Sequence, residues 1–474
     1  MPSFSPLIAL RGSPKLKLIS TDGGLVLWLE LLRRGRVLRD LPLQVAGTQG
    51  WSDGQMMLAV LLLNVVGYAR VSDVDALEND RNLGRLVRAY EPELLGMPAA
   101  TLAQRFRGGR GRTFPSANAV HDWLGRFHDD AAADALELME AVNWRLAHSL
   151  IRQLGLDELT LDLNATIVAS GKREALPTYC SATGEVAGKR GYQPLSVFCP
   201  ELGMVLGTEF RDGNVPTSVR NKELLEQVLT GLPPEVRKVW LRSDGAACQH
   251  DLIRFCDVLE SRPAPLRHFG VIGYVFEARR DVELREAMAQ TPMSRWSPIR
   301  ASEPELECAD LDYASPWDAR QPRSQLLRYV ATRRALPGKL EVRLEHDETP
   351  AQAGRPAYRY HVYLTNLAYP RAPREGAGLA MTASEVVRFA HERCGHGEEI
   401  HAVLKQDLAG GMMPSGKFGA NAAWWQLAAL SANVNALLRH CAFGPGWWWA
   451  RMALYPIIMW KSALGWKSSL PRWK

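Results

Sequence analysis

A mixed α/β sheet flanked by helical regions is the fold the sequence predicts, on three observations. From Glu158 onward, strand-length apolar runs and amphipathic stretches follow one another as three strands, a helix, a strand, a helix and a strand. Residues before about Leu150 and after about Thr382 carry apolar side chains at helical spacing instead. The 474 residues are 46% hydrophobic and 23% charged, a balance that excludes bulk disorder and leaves room for two or three folded units.

The N-terminal part reads as mostly helical. Met56 to Val66 is an apolar run, and Ser72-Asp73 opens an amphipathic one through Leu77, Leu83 and Leu86. Ser116 is placed as N-cap of a helix whose Val120, Trp123, Leu124 and Phe127 share one face. Just before it, Arg105, Arg107, Arg110 and Arg112 alternate with glycines that allow close backbone approach, which suits a DNA phosphate; a solvated basic loop is the alternative.

The sheet follows. LTLDLNATIV alternates so that Asp162 and Asn164 share one face of a strand. YQPLSVFC and MVLGTEF form a hairpin about the turn at Pro200 to Gly203. A helix from about Val219 to Thr230, a strand ending at Asp244, a helix from roughly Gln249 to Leu259 and the strand HFGVIGYVF complete the series. Between Arg279 and about Glu375 lies a β-rich insertion with RYVATRRAL and YRYHVYLTNL as its clearest strands. A helix then runs from near Thr382 to Lys405, and NAAWWQLAALSANVNALLRH forms another, expected to pack on the sheet.

Seven cysteines, odd in number and without a CxxC pair, fit a reducing compartment, and the short apolar stretch at Pro6 to Leu10, followed by Arg11, Lys15 and Lys17, is not an export signal. A cytoplasmic location is expected. The net charge of +6 permits an acidic partner such as nucleic acid without demanding one. The run from Phe443 to Trp460 is broken by Arg451 and Pro456 and is short of the ~20 apolar residues of a span, so it reads as a buried or interfacial aromatic helix and no membrane is expected.

Three acids occupy positions from which a sheet-based site can draw: Asp162 within the first strand, Asp244 at the end of the fourth, and Glu398 in the helix after the insertion. Carboxylates from separate elements converge on Mg²⁺, a hard cation that takes oxygen ligands, and two such ions support an in-line phosphoryl transfer. A zinc site from His391, Cys394, His396 and His401 is disfavoured, because His396 falls well around the helix from His391 and Cys394. Neither a GxxxxGK[ST] loop nor a GxSxG elbow occurs, which argues against ATP-driven and simple serine-hydrolase chemistry.

Taken together, LDLNAT, KRGYQPL, FRDGN, LRSDGA and RCGHGEEIHAVLK followed by FGANAAWW resemble the DDE transposases of bacterial insertion sequences, nearest to the thirteen-eighty group. LLLNVVGYARVSDVDALENDRNL and PSANAVHDWLGRF carry the likeness into the N-terminal part, so that it runs from about Leu58 to Leu438.

The resemblance implies an RNase-H-like mixed sheet with a β-rich insertion and helical N-terminal and C-terminal regions. Its parts would be a DNA-binding region over 1–150, the core over 151–278 and 376–440, the insertion over 279–375 and a Trp-rich tail over 441–474. It implies Asp162, Asp244 and Glu398 as catalytic acids holding Mg²⁺, with Mn²⁺ as substitute. Lys405, seven residues after Glu398, would meet the DNA backbone; Arg393 stands one residue early for the family's Arg, and His391 takes the place of its Tyr. Arg126, Lys189, Arg190, Arg211 and Asn214 join the four arginines of the basic loop as DNA-contact candidates. Trp296 and Trp317 would stack on an extruded base, or else pack the insertion's core.

Two departures accompany the resemblance: Asn164 stands where many relatives carry a second acid, and the tail is tryptophan-rich. The activity implied is recognition of terminal inverted repeats in double-stranded DNA, cleavage at the element ends and joining of 3′ ends to target DNA, by a homodimer assembled on DNA at the bacterial nucleoid. A nuclease without strand transfer and a DNA-binding descendant without catalysis are the alternatives.

Overall fold

The computed structural model describes residues 25–41, 43–129, 134–178, 188–278, 282–316, 327–340, 356–368 and 380–443. Seven helices come first: α1 (Leu25–Arg34), α2 (Asp53–Val66), α3 (Val74–Asn79), α4 (Arg81–Leu95), α5 (Ala99–Gln104), α6 (Ala117–Arg126) and α7 (Ala135–Leu154). Their ends follow local chemistry. Ser52 and Gln55 form a reciprocal capping box at the start of α2, Ser116 caps α6 through the Ala119 amide, and α7 stops at Gly155, whose φ of +64° suits a residue without Cβ.

The strands are β1 (Glu158–Ala165), β2 (Val168–Ala169), β3 (Leu176–Pro177), β4 (Arg190–Tyr192), β5 (Leu195–Cys199) and β6 (Met204–Glu209), then, after α8 (Asn221–Gly231), β7 (Lys238–Ser243). Helix α9 (His250–Asp257), β8 (Gly273–Glu277), α10 (Val282–Gln290), β9 (Ser297–Pro298), β10 (Leu306–Asp310), β11 (Arg328–Leu340) and β12 (Pro356–Thr365) lead to α11 (Ala383–Ala402) and α12 (Phe418–Leu438). Nine strands make one sheet in the order β6-β5-β1-β7-β8-β12-β11-β10-β9, and β2-β4-β3 make a small second one. β1, β7 and β8 are parallel, whereas β5, β6 and β9 to β12 add antiparallel. The strands of the expected insertion therefore do not stand apart: β12 pairs with β8 and carries the hydrogen-bonded ladder outward.

Both faces of this sheet are covered. Leu159, Leu161 and Leu163 of β1 join the main core with Leu224 and Val228 of α8, while Trp240, Val275 and Val330 on the other face pack with Val386, Val387 and Ala390 of α11. The alternation seen in β1 is thus not one of inside against outside, since Thr160 and Asp162 are buried as well.

Helix α12 was expected on the sheet, and it does touch β6, but its principal place is among α1, α2, α6 and α7. Every residue from Gly419 to Leu438 is buried. Gly419 is required at its start, because a Cβ there would lie 2.1 Å from the Phe127 carbonyl oxygen. The helix's polar residues are matched inside the core. Asn433 accepts from Val205 N (2.8 Å) and donates to Val205 O (2.8 Å), so its amide stands in for a further strand on the edge of β6. Trp28 donates to Asn435 Oδ1 at 3.0 Å, and Trp425 to Thr208 Oγ1 at 2.9 Å.

Among the described residues no single helix is long and apolar enough to cross a membrane; the bent pair Asp53–Val66 with Val71–Asn79 passes on length and composition, and α2 is largely buried in the protein. Beyond Phe443, the run ending at Trp460 and the rest of the tryptophan-rich tail lie outside the described residues.

Candidate active site

Parallel pairing of β1 with β7 sets Asp162 opposite Arg242 and Leu163 opposite Ser243, and Ser243 Oγ donates to Leu163 O at 2.7 Å. One step further out, at the C-terminal edge of both strands, stand Asn164 and Asp244, both half-buried. By the two-residue period they share the face of Asp162 and Arg242. Such an edge is where open parallel sheets present ligand-binding groups.

Asp244 is held by its own chain. Its Oδ1 accepts from Ala246 N at 3.0 Å, capping the short turn Gly245–Ala247. Asp162 is paired with a buried base: Arg242 Nε donates to its Oδ1 at 2.6 Å and Nη2 to its Oδ2 at 3.0 Å, with both side chains buried. Burial pushes the Asp162 carboxyl upward and the Arg242 guanidinium pulls it back. Arg242 also donates through Nη1 to Phe389 O at 3.0 Å and lies 4.9 Å over the Phe389 ring, which ties α11 to the sheet.

Glu398 belongs to α11, and its side chain lies outside the described residues, as do those of Cys394 and His396. Arg393 is half-buried within electrostatic reach of Asp162 and His401. His401 is buried and held down to about 4 by burial, then by Lys405 and Arg393, and its Nδ1 has no hydrogen-bond partner. His391 is also lowered, chiefly by burial. Lys405 follows in a π-helical turn, Val403–Asp407, where burial lowers its ammonium. Asp162 is paired with Arg242, Asn164 offers a neutral amide, and among the described residues no group of three His, Cys, Asp or Glu is arranged to hold a metal ion.

The small sheet β2-β4-β3 begins just past the end of β1 and exposes Lys189 and Arg190, the latter donating to Arg173 O at 2.7 Å. Beside it opens a cavity of ≈ 530 Å³ lined by Arg70, His121, Lys172 and Met413 among others, with no carboxylate in its wall. It brings together the N-terminal helical part, the loop after β2 and the segment following α11. Periodicity had no means of finding Arg70, His121 and Lys172, which are distant in sequence and meet only here.

Several of the expected DNA contacts also make hydrogen bonds or ion pairs within the protein, at different depths. Arg105 donates to Gly50 O at 2.8 Å and Gly47 O at 2.6 Å. Arg110 pairs with Glu91 and lies 4.7 Å over Trp51, and Arg112 pairs with Asp75, leaving Arg107 as the exposed member of the loop. Arg126 donates to Val45 O at 3.0 Å. Arg211 is buried, donates to Gln193 O at 2.9 Å and Val219 O at 2.6 Å, and is lowered to about 10 by burial; Asn214 is exposed. Of the two readings of Trp296, the packed one fits the fold, since its ring is buried with the Arg333 guanidinium 4.4 Å away. Trp317 lies outside the described residues.

Among solved structures, the piggyBac transposase synaptic complex with hairpin DNA, determined by cryo-EM, is 11% identical, with 94% of this chain and 78% of that chain covered and a TM-score of 0.45. No curated protein matches the chain in sequence. The family described as Transposase DDE domain group 1 matches residues 15–447, which takes in the whole sheet, α11 and α12, and the chain belongs to that family.

Proposed function

We propose that this chain is a transposase of the bacterial insertion-sequence type, nearest to the thirteen-eighty group, that binds the terminal inverted repeats of its element, cleaves at the ends and joins 3′ ends to target DNA. The observation that carries the reading is the position of Asp244, at the C-terminal edge of parallel strands, in a chain whose small sheet after β1 exposes Lys189 and Arg190. Exposed cations of this kind contact phosphates and position a duplex without reading its sequence.

Asp244 and Glu398 are the acids of this reading, with a divalent cation, Mg²⁺ or Mn²⁺, as the family's chemistry implies. Lys189, Arg190, Arg107, Asn214, Arg393 and Lys405 are its DNA-contact residues. Two element ends must be aligned before joining, so the reading includes a homodimer assembled on double-stranded DNA at the nucleoid.

A second reading, a DNA-binding descendant without cleavage, is favoured by one observation: the β1 carboxylate is neutralised by Arg242. Incubating the full chain with Mg²⁺ and a duplex carrying the flanking inverted repeat separates the two. Cleavage that disappears in Asp244→Ala supports the first, and specific binding without cleavage in either protein supports the second.

A further inference from the structure

Asp162 and Arg242 are 1% and 3% exposed at their side chains, and the guanidinium gives Nε and Nη2 to the carboxylate and Nη1 to Phe389 O. Glu392 of α11 stands 3.4 Å from the same Nη1. A carboxylate gripped at both oxygens has its charge compensated; turning either oxygen to another cation would strand a buried guanidinium. The pair therefore serves as a post between β1, β7 and α11. Two residues along β1, on the same face, Asn164 is half-buried and one register step past Leu163, level with Asp244 past Ser243.

We propose that Asn164, and not Asp162, is the β1 residue facing the reaction site beside Asp244, and that Asp162 is a positioning residue acting through Arg242 on α11. In consequence the site is one negative charge short, binds divalent cations weakly as the chain stands, and gains affinity when a carboxylate is restored at position 164. This rests on reading the Asp244 edge as the phosphoryl-transfer site.

The test is calorimetric titration of the full chain with Mn²⁺, comparing wild type, Asn164→Asp, Asn164→Asp with Asp244→Asn, and the paired change Asp162→Leu with Arg242→Leu. Asn164→Asp is expected to bind Mn²⁺ about tenfold more tightly, since ligand charge tunes such sites over decades. The gain should vanish when Asp244 is also replaced, and the paired change should keep wild-type affinity. An Asn164→Asp variant within about twofold of wild type, with an unchanged circular dichroism spectrum, overturns the proposal. So does a folded Asp162→Leu/Arg242→Leu protein that has lost Mn²⁺ binding; if that variant does not fold, the Asn164→Asp comparison decides alone. Repeat-duplex cleavage by the same proteins keeps the two ideas apart. Tighter Mn²⁺ binding with the duplex never cut sinks the transposase reading alone, and cleavage by wild type with no change in Mn²⁺ affinity sinks the Asn164 assignment alone.

Discussion

Arg242 closes on Asp162 through two parallel hydrogen bonds, 2.6 and 3.0 Å, in the interior between β1, β7 and α11. Removing one partner leaves the other charge buried without compensation, a loss of about 3–5 kcal/mol, whereas replacing both with apolar groups is often neutral or stabilising. Arg242→Met is thus expected to lower the urea-unfolding free energy by that amount, and Asp162→Leu/Arg242→Leu to recover most of it.

Asn433 predicts a cost at the other end of the sheet. Its amide satisfies both backbone groups of Val205 on the edge strand β6, and Asn433→Ala orphans a buried N–H and a buried C=O. About 2–6 kcal/mol of stability should be lost, at about 1–3 per group, and amide exchange at Val205 should rise well before that of β1.

Glu140 brings a pH dependence. Its carboxyl is pushed up to about 7, first by burial and then by Glu137, while its Oε2 accepts from Gln227 at 2.7 Å. The folded chain retains a proton that the unfolded chain has released, so stability falls as pH rises from 4.5 to about 7. The fall is about 3 kcal/mol. Glu140→Gln keeps the acceptor, removes the charge and should flatten that slope, most visibly in melts at pH 8 compared with pH 5.

His401 acts with the opposite sign. Held to about 4 in the fold, it stays neutral while the unfolded chain takes up a proton from 6.5 downward, so stability is lost as pH falls from 6.5 towards 4. His401→Leu should remove that acid-side loss, about 3 kcal/mol in size. The two windows overlap, and each variant compared with wild type isolates its own slope.

Arg70 and Lys172 line the cavity beside the small sheet that follows β1. If the DNA backbone passes there, Arg70→Ala with Lys172→Ala should weaken duplex binding across all sequences alike and reduce the slope of log K against log salt by about 2. An unchanged slope removes the cavity from the DNA path.

Much of the fold was legible in the chain. Apolar spacing marked β1, β5, β6, β7, β8, β11 and β12 and the helices α8, α9, α11 and α12, because burying one stripe or one alternating set leaves a local period. Serine at position 116 marked the start of α6 because a cap acts on amides two or three residues away. The motifs also pointed to the family to which the chain belongs.

Partnership between distant residues leaves no such local trace. A solvent-seeking arginine and a structural one look alike in sequence, so only the fold shows Arg105, Arg110 and Arg211 turned inward and Trp296 covered by Arg333. The chain supplied an Asp and an Asn two residues apart on one strand face; which of them meets solvent depended on Arg242, 80 residues away, and on α11 lying over the inner one. Local periodicity determined which segments became strands and helices, and long-range charge pairing and burial decided which of their polar side chains were left to act.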